Sequence, residues 1–214
     1  WVMRVAPVGV GVLMMGLVAT TGLAALHAML YYSIAVMLGL LSISLLMFIL
    51  LYYTGNQPLA LLNRLSTGLL TAFTTASSSS VLPLILTGFA STRAATVSRI
   101  VMPLGTTLNM TGTALYLSLT SVFLAHVYGV TLSGSAYGII IGLSVISAVS
   151  AAGIPSASLI TMSLILSAIA VPVESIGMII GIDRLLDMMR TTVNVWCNSA
   201  ITVLLSDLPV DNLA

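Results

Sequence analysis

Asp183, Asp187, Arg190, Asn194 and Asn198 stand four, three, four and four residues apart in "DRLLDMMRTTVNVWCNSA". At about 100° per residue they fall within an arc of roughly 80° on one helix. Thr191 sits beside this stripe, and Arg184 lies about 100° away from it, near an interface. The surroundings are apolar. An ionised side chain in a membrane span costs several kcal/mol, so such a stripe faces the protein interior and is paired or functional. An Asp–Arg pair that only fixes helix packing is the plain alternative. The functional reading starts from the groups themselves. A guanidinium takes a carboxylate in two parallel hydrogen bonds. Asp187, one turn from Arg190, is a negative acceptor suited to an ammonium. Serine hydroxyls and backbone N–H groups at helix ends take a second carboxylate. Together these groups complement an acidic amino acid.

The elements that must position them are set by composition. The 214 residues are 59% hydrophobic and 5% charged, with a mean hydropathy of +1.19. Soluble domains carry roughly 25% charged residues. The sequence is that of an integral membrane protein, and an all-α one. Lipid demands that backbone polar groups be satisfied internally, and the long apolar runs lack strand-like alternation. There is no lysine, and the net charge is +1, so no basic patch exists for nucleic acid. One cysteine, Cys197, excludes an intrachain disulfide or a cysteine metal site and reads as a packing residue. His27 and His126 are isolated on apolar segments and read as packed or interfacial. The chain opens on Trp1 rather than Met and reads as a piece of a longer protein.

Residues 5–26 read as one membrane helix, a scaffold-type segment within 1–26, with Pro7 near its start where proline is tolerated. Residues 27–214 divide into five parts. Positions 29–53 form a second helix, ended by "TGNQP". Positions 57–92 hold two apolar arms too short to span roughly 30 Å, around a tip at Ser77 to Ser80 and then Pro83. This pattern predicts a re-entrant hairpin. Positions 97–127 read as a helix broken at "NMTGT", Asn109 to Thr113. Such breaks survive at membrane depth only where they are buried or line a cavity. Positions 134–170 repeat the hairpin around "AAGIPSAS", and 173–205 form the charged helix. Paired hairpins point to a transporter with inverted repeats and a midplane site. Arg4, Arg64, Arg93 and Arg99 all fall at segment ends that one topology places in the cytoplasm, with Glu174 outside.

"TAFTTASSSSVLPL", "NMTGTALY", "AAGIPSAS" and "GIDRLLDMMRTTVNV" resemble the four motifs of the dicarboxylate/amino acid:cation symporter family. The likeness runs over nearly the whole chain, in order. It implies a fold of eight helices and two re-entrant hairpins, of which this chain resembles only the C-terminal part, from the fifth helix on. It also implies a homotrimer, an elevator-like transport domain, and a multi-pass place in the cell's inner (plasma) membrane. The first four helices are missing, including a third helix that supplies cation ligands. By this resemblance Arg190 holds the substrate side-chain carboxylate and Asp187 its amino group, with Thr191, Asn194 and Thr113 beside them. Ser78 and Ser79 form the first tip, which meets the main-chain carboxylate. Gly153, Ile154, Pro155 and Ser156, running on to Ser158, form the second gate. Asp187 favours an amino acid over succinate or malate, and Arg190 favours an acidic one. Glutamate and aspartate remain alternatives.

The resemblance assigns the coupling cation to Gly105, Thr107, Asn109, Thr111, Asn194 and Asn198, and here the chain departs from its family. Thr111 and Asn198 stand where the family has aspartates. Leu117 stands where animal members carry a protonatable carboxyl. At an effective dielectric near 20, one charge about 4 Å away is worth roughly 4 kcal/mol, or about three decades of affinity. Sodium is therefore disfavoured and a proton is expected as the coupling cation. Asp187 or Asp183 is its carrier, with His126 a third choice. No other cofactor is expected.

An enzyme is not expected, since there is no Gly-x-Ser-x-Gly elbow and no motif places either histidine as a base. Asn109-Met110-Thr111 matches a glycosylation sequon, but its place in mid-membrane makes this a chance match. An ion-conducting channel and a transport-dead or regulatory membrane partner remain as alternatives. Uptake by the full-length gene product separates the last from a symporter.

Overall fold

The computed structural model describes residues 23–151, 153 and 155–206, together with Val8, Gly11, Val12 and Met15. The expected first helix lies almost wholly outside the described residues, as does Ile154. The described residues form helices and turns and contain no strand.

Helix α1 spans Leu23–Tyr53. The sequence reading started it at 29, but the helix runs back through 23–28. Ala24, Ala25 and Leu26 are strong helix formers, and no proline or glycine interrupts before Gly39. It ends in a Schellman motif: Asn56 N–H donates to Leu51 O, and Gly55 N–H to Tyr52 O. Gly55 takes the left-handed conformation (φ 80°) that this turn requires.

Helices α2 (Pro58–Thr75) and α3 (Ser78–Phe89) pack against each other as a hairpin. Pro58 opens α2, where its missing N–H costs nothing. The tip is shorter than the serine run suggests. Ala76, in the left-handed region, stops α2 by donating its N–H to Ala72 O. Ser77 then caps α3 by accepting the Ser80 N–H. Ser78, Ser79 and Ser80 are therefore first-turn helix residues and not a loop, a correction to the expected tip at Ser77–Ser80.

Helices α4 (Ala95–Leu108) and α5 (Thr111–Val127) are separated by two non-helical residues, Asn109 and Met110. Helices α6 (Gly134–Ser150) and α7 (Ala157–Ala168) pack as a second hairpin. Ser133 caps α6, and Ser156 enters α7 from the left-handed region (φ 59°). After a short 3₁₀ turn, Val173–Ser175, helix α8 runs Ile176–Ser206.

Helix α8 is central, packing on α1, α2, α4 and α5. Its first half joins a core with Tyr32, Leu40, Tyr116 and Ile165. Its second half joins another with Leu65, Ile85, Phe89 and Met102. Trp196 Nε1 donates to Ser44 O and ties α8 to α1. The polarity is inverted relative to a water-soluble fold. Asp183, Asp187, Arg190 and Asn198 are buried, while Leu38, Leu45, Ile146, Ile160 and Leu164 face outward. Outward apolar surface on this scale needs a partner or lipid. The segments His27–Tyr53 and Ala95–Val127 are long and apolar enough to cross a bilayer.

Candidate functional site

The stripe read from the spacing holds together in space. Asp183, Asp187, Arg190, Asn194 and Asn198 are each at most 4% exposed, on the inward face of α8. Arg190 Nη2 donates to Asp187 Oδ1 at 2.5 Å, and its guanidinium lies 4.3 Å from the centre of the Tyr116 ring. Its other terminal nitrogen, Nη1, is buried without a partner. A buried guanidinium donor left unpaired is costly, so this nitrogen marks a place for an acceptor.

Both carboxylates reach the second hairpin. Ser156 N–H donates to Asp187 Oδ2 at 2.8 Å, and the Ser156 hydroxyl to Asp183 Oδ2 at 3.3 Å. Tyr116 OH donates to Asp183 Oδ1 at 2.6 Å. The left-handed backbone at Ser156 turns the chain so that its N–H and hydroxyl both face α8. With both acids ionised, the cluster of two carboxylates and one guanidinium carries one net negative charge, suited to a cationic group.

A cavity of about 20 Å³ lies over Arg190 and Asp187, bounded by Ser78, Thr113, Gly153, Ser158, Thr191 and Asn194. It holds about one water, so an amino acid enters only if the tips part. The tips meet directly. The Ser77 hydroxyl donates to Gly153 O at 2.9 Å, and Ser79 N–H to the same oxygen at 3.5 Å. A Cβ at Gly153 would sit 2.5 Å from Ser79 Oγ and 2.6 Å from Ser78 Oγ, so glycine is what permits the contact.

The break between α4 and α5 meets the same face of α8. Asn194 Oδ1 accepts the Gly112 N–H at 2.8 Å, and its Nδ2 donates to Thr113 Oγ1 at 3.0 Å. Thr111 Oγ1 donates to Asn109 Oδ1, and Asn109 Nδ2 to Asn198 Oδ1, each at 2.7 Å. Gly105 lies against the Asn198 amide, where a Cβ would come within 2.7 Å. No carboxylate takes part in this chain of hydrogen bonds, and the side-chain oxygens of Asn109 and Asn198 are already engaged.

Some expected residues do not join. Ser79 is exposed and does not line the cavity; its N–H and hydroxyl lie against Gly153 of the other tip. Pro155 is exposed, and Ile154 lies outside the described residues. Thr107 is exposed, its hydroxyl turned back to Leu104 O. His126 is exposed at the end of α5, its Nδ1 against Val122 O, away from the cleft. Leu117 is fully buried in the apolar core. Tyr116 was missed as a site residue. An aromatic at helical spacing reads as core, and the only signal was its place at the end of "NMTGTALY".

Comparison with known proteins places these features. Residues 1–208 match the model of the sodium:dicarboxylate symporter family. The chain is 35% identical over 192 residues to a putative sodium-dependent excitatory amino acid transporter, glt-4, of Caenorhabditis elegans, covering 88% of this chain and 38% of that protein. It is 37% identical over 171 residues to excitatory amino acid transporter 1 of Homo sapiens, covering 77% of this chain and 31% of that protein. To human excitatory amino acid transporter 2 it is 37% identical over 168 residues, covering 77% and 29%. The chain thus spans about a third of the length of these relatives. The match over nearly the whole chain, with the inverted polarity and the paired hairpins beside it, shows that the chain belongs to the sodium:dicarboxylate symporter family.

Proposed function

We propose that this chain is the C-terminal, substrate-binding part of an elevator-type symporter for glutamate or aspartate. The observation that carries the reading is Arg190, buried, braced by Asp187 and Tyr116, with Nη1 unpaired above a cleft closed by two hairpin tips. A side-chain carboxylate takes the open guanidinium nitrogen, an ammonium takes Asp187, and the main-chain carboxylate takes the Ser78 and Ser158 hydroxyls. The Ser158 oxygen, buried without a partner, supports that last role. The hairpins are re-entrant and the α4–α5 break lies at membrane depth, which supplies polar backbone where an apolar helix could not. Helix α1 onward moves as the transport domain. The N-terminal helices that precede this chain complete the scaffold and a homotrimer in the plasma membrane.

Sodium dependence belongs to the name of one relative, and sodium to the name of the family. In this chain we favour a proton. Around Asn109, Thr111 and Asn198 both asparagine side-chain oxygens already accept hydrogen bonds, the one unpaired group is a donor, Asn198 Nδ2, and no anionic oxygen is present, so these residues do not fit a sodium ion. Asp183 and Asp187, both bonded to Ser156, are the carboxyls that connect a proton to the gate.

Calorimetry on the full-length protein tests the substrate. An acidic amino acid is expected to bind and succinate is not. Absence of binding by both glutamate and aspartate overturns the reading.

A further inference from the structure

The two buried acids of α8 differ in what holds them. Asp187 is ion-paired: Arg190 Nη2 and the Ser156 N–H both donate to it. Asp183 is as deeply buried, yet its hydrogen-bond partners are hydroxyls. Tyr116 OH donates to its Oδ1 at 2.6 Å, and the Ser156 hydroxyl to its Oδ2 at 3.3 Å. Among the described residues no arginine forms an ion pair with Asp183, and Arg190 and Asp187 act on it only through space. No Asp, Glu, Lys or Arg lies between Arg4 and Arg64 or between Arg99 and Glu174, so α1, α5 and the second hairpin bring no fixed charge to it. The ionisable groups that face Asp183 are therefore Asp187, Arg190 and the phenols of Tyr116 and Tyr32.

We infer that Asp183 is the proton carrier, and that it takes up one proton as the acidic amino acid binds. The inference rests on the acidic amino acid reading of the cleft, and it decides between the two carboxyls and His126. Charge is the reason. With both acids ionised, the empty cluster carries one net negative charge, and an acidic amino acid brings a second with its two carboxylates and one ammonium. Two uncompensated charges in a buried site are costly. One proton restores the charge of the empty cluster. Asp187 is poorly placed to take it, because its charge holds Arg190 and receives the ammonium. Asp183 can take it without losing a partner, because a hydroxyl both donates and accepts. The proton binds Oδ2 and is donated to Ser156 Oγ, the Ser156 hydroxyl hydrogen turns away from the acid, and Tyr116 still donates to Oδ1. The carrier thus acts on the same residue of the second tip whose N–H is held by Asp187.

The test is calorimetry of aspartate and glutamate binding to the full-length protein, from about pH 5 to about pH 9, in buffers of different ionisation enthalpy, which counts the protons bound with each ligand. Wild type is expected to take up about one proton per ligand over part of this range, with affinity falling about tenfold per pH unit above it. Asp183→Asn, neutral and hydrogen-bonding like the protonated acid, should bind the ligand with no proton uptake and with an affinity indifferent to pH. Tyr116→Phe keeps the ring against Arg190 and removes one donor from the ionised acid. It should keep the proton and move the pH dependence to higher pH, and it carries the test if the asparagine variant does not fold. His126→Gln, on a side chain away from the cleft, should behave as wild type. Proton uptake that persists in Asp183→Asn, an unmoved pH dependence in Tyr116→Phe, or loss of uptake in His126→Gln overturns the inference. Wild-type binding with no proton taken up at any pH also overturns it and leaves the substrate reading standing. No binding of either amino acid overturns that reading, and the inference with it.

Discussion

Arg190 is held by Asp187 on one side and by the Tyr116 ring on another, and is open toward the cleft. Charge-assisted hydrogen bonds of this kind are worth about 1.5–3 kcal/mol, which corresponds to roughly ten- to a hundredfold in affinity. Arg190→Ala is therefore expected to weaken acidic amino acid binding by at least roughly tenfold and to relax selectivity toward small neutral amino acids. Calorimetry with aspartate and with serine checks it, and unchanged aspartate affinity would sink the carboxylate assignment. Asn198 carries the complementary prediction. Its amide accepts from Asn109 and lies against Gly105, so Asn198→Asp returns one negative charge to a buried neutral site. The variant should acquire sodium-stimulated uptake that wild type lacks, and equal sodium response in both would refute the argument from missing charge. Spacing alone made the stripe legible, because five polar residues within roughly 80° of arc on an apolar helix must share one protein-facing side. Thr107 was assigned by resemblance as a backbone or side-chain ligand, and its hydroxyl turns back to Leu104 O, a local bond that motif matching does not weigh.

The hairpins were legible because each apolar arm is too short to cross and each tip carries small polar residues. Their exact turn was not. Ala76 in the left-handed region carries no sequence signal, since glycine or asparagine is the usual choice there. The start of α1 was missed for a related reason: no breaker stands where the two apolar runs were divided. The tips themselves give the next prediction. Cysteines at Ser77 and Ser156, in a background lacking Cys197, should label from water, and added substrate should protect them. Labelling from the side opposite the flanking arms, without a transport cycle, would make these segments ordinary spans. Gly153→Ala should hold the tips apart. Overpacking a tight contact costs about 1–3 kcal/mol, so protection by substrate should weaken by roughly tenfold. Unchanged protection would mean the Ser78 and Ser79 hydroxyls swing aside freely.

For the whole molecule, the inverted polarity described above makes the charged helix the axis on which both hairpins and the α4–α5 break converge. Coupling is a property at this scale. Uptake of glutamate or aspartate into proteoliposomes of the complete protein is expected to follow an imposed pH gradient and to be largely indifferent to a sodium gradient. Strong sodium-driven uptake with no response to pH would falsify the proton assignment and place the anionic ligand in the N-terminal helices. The contact between the tips has a further consequence, for occupancy rather than chemistry. Parting the first tip from the second breaks two hydrogen bonds, one of them long, together worth about 1–2 kcal/mol. The open form is then populated at roughly one part in five to one in thirty, and apparent affinity for an incoming solute is reduced by that fraction. Ser77, which need never touch the solute, thereby helps set what fraction of the molecules stand open to it.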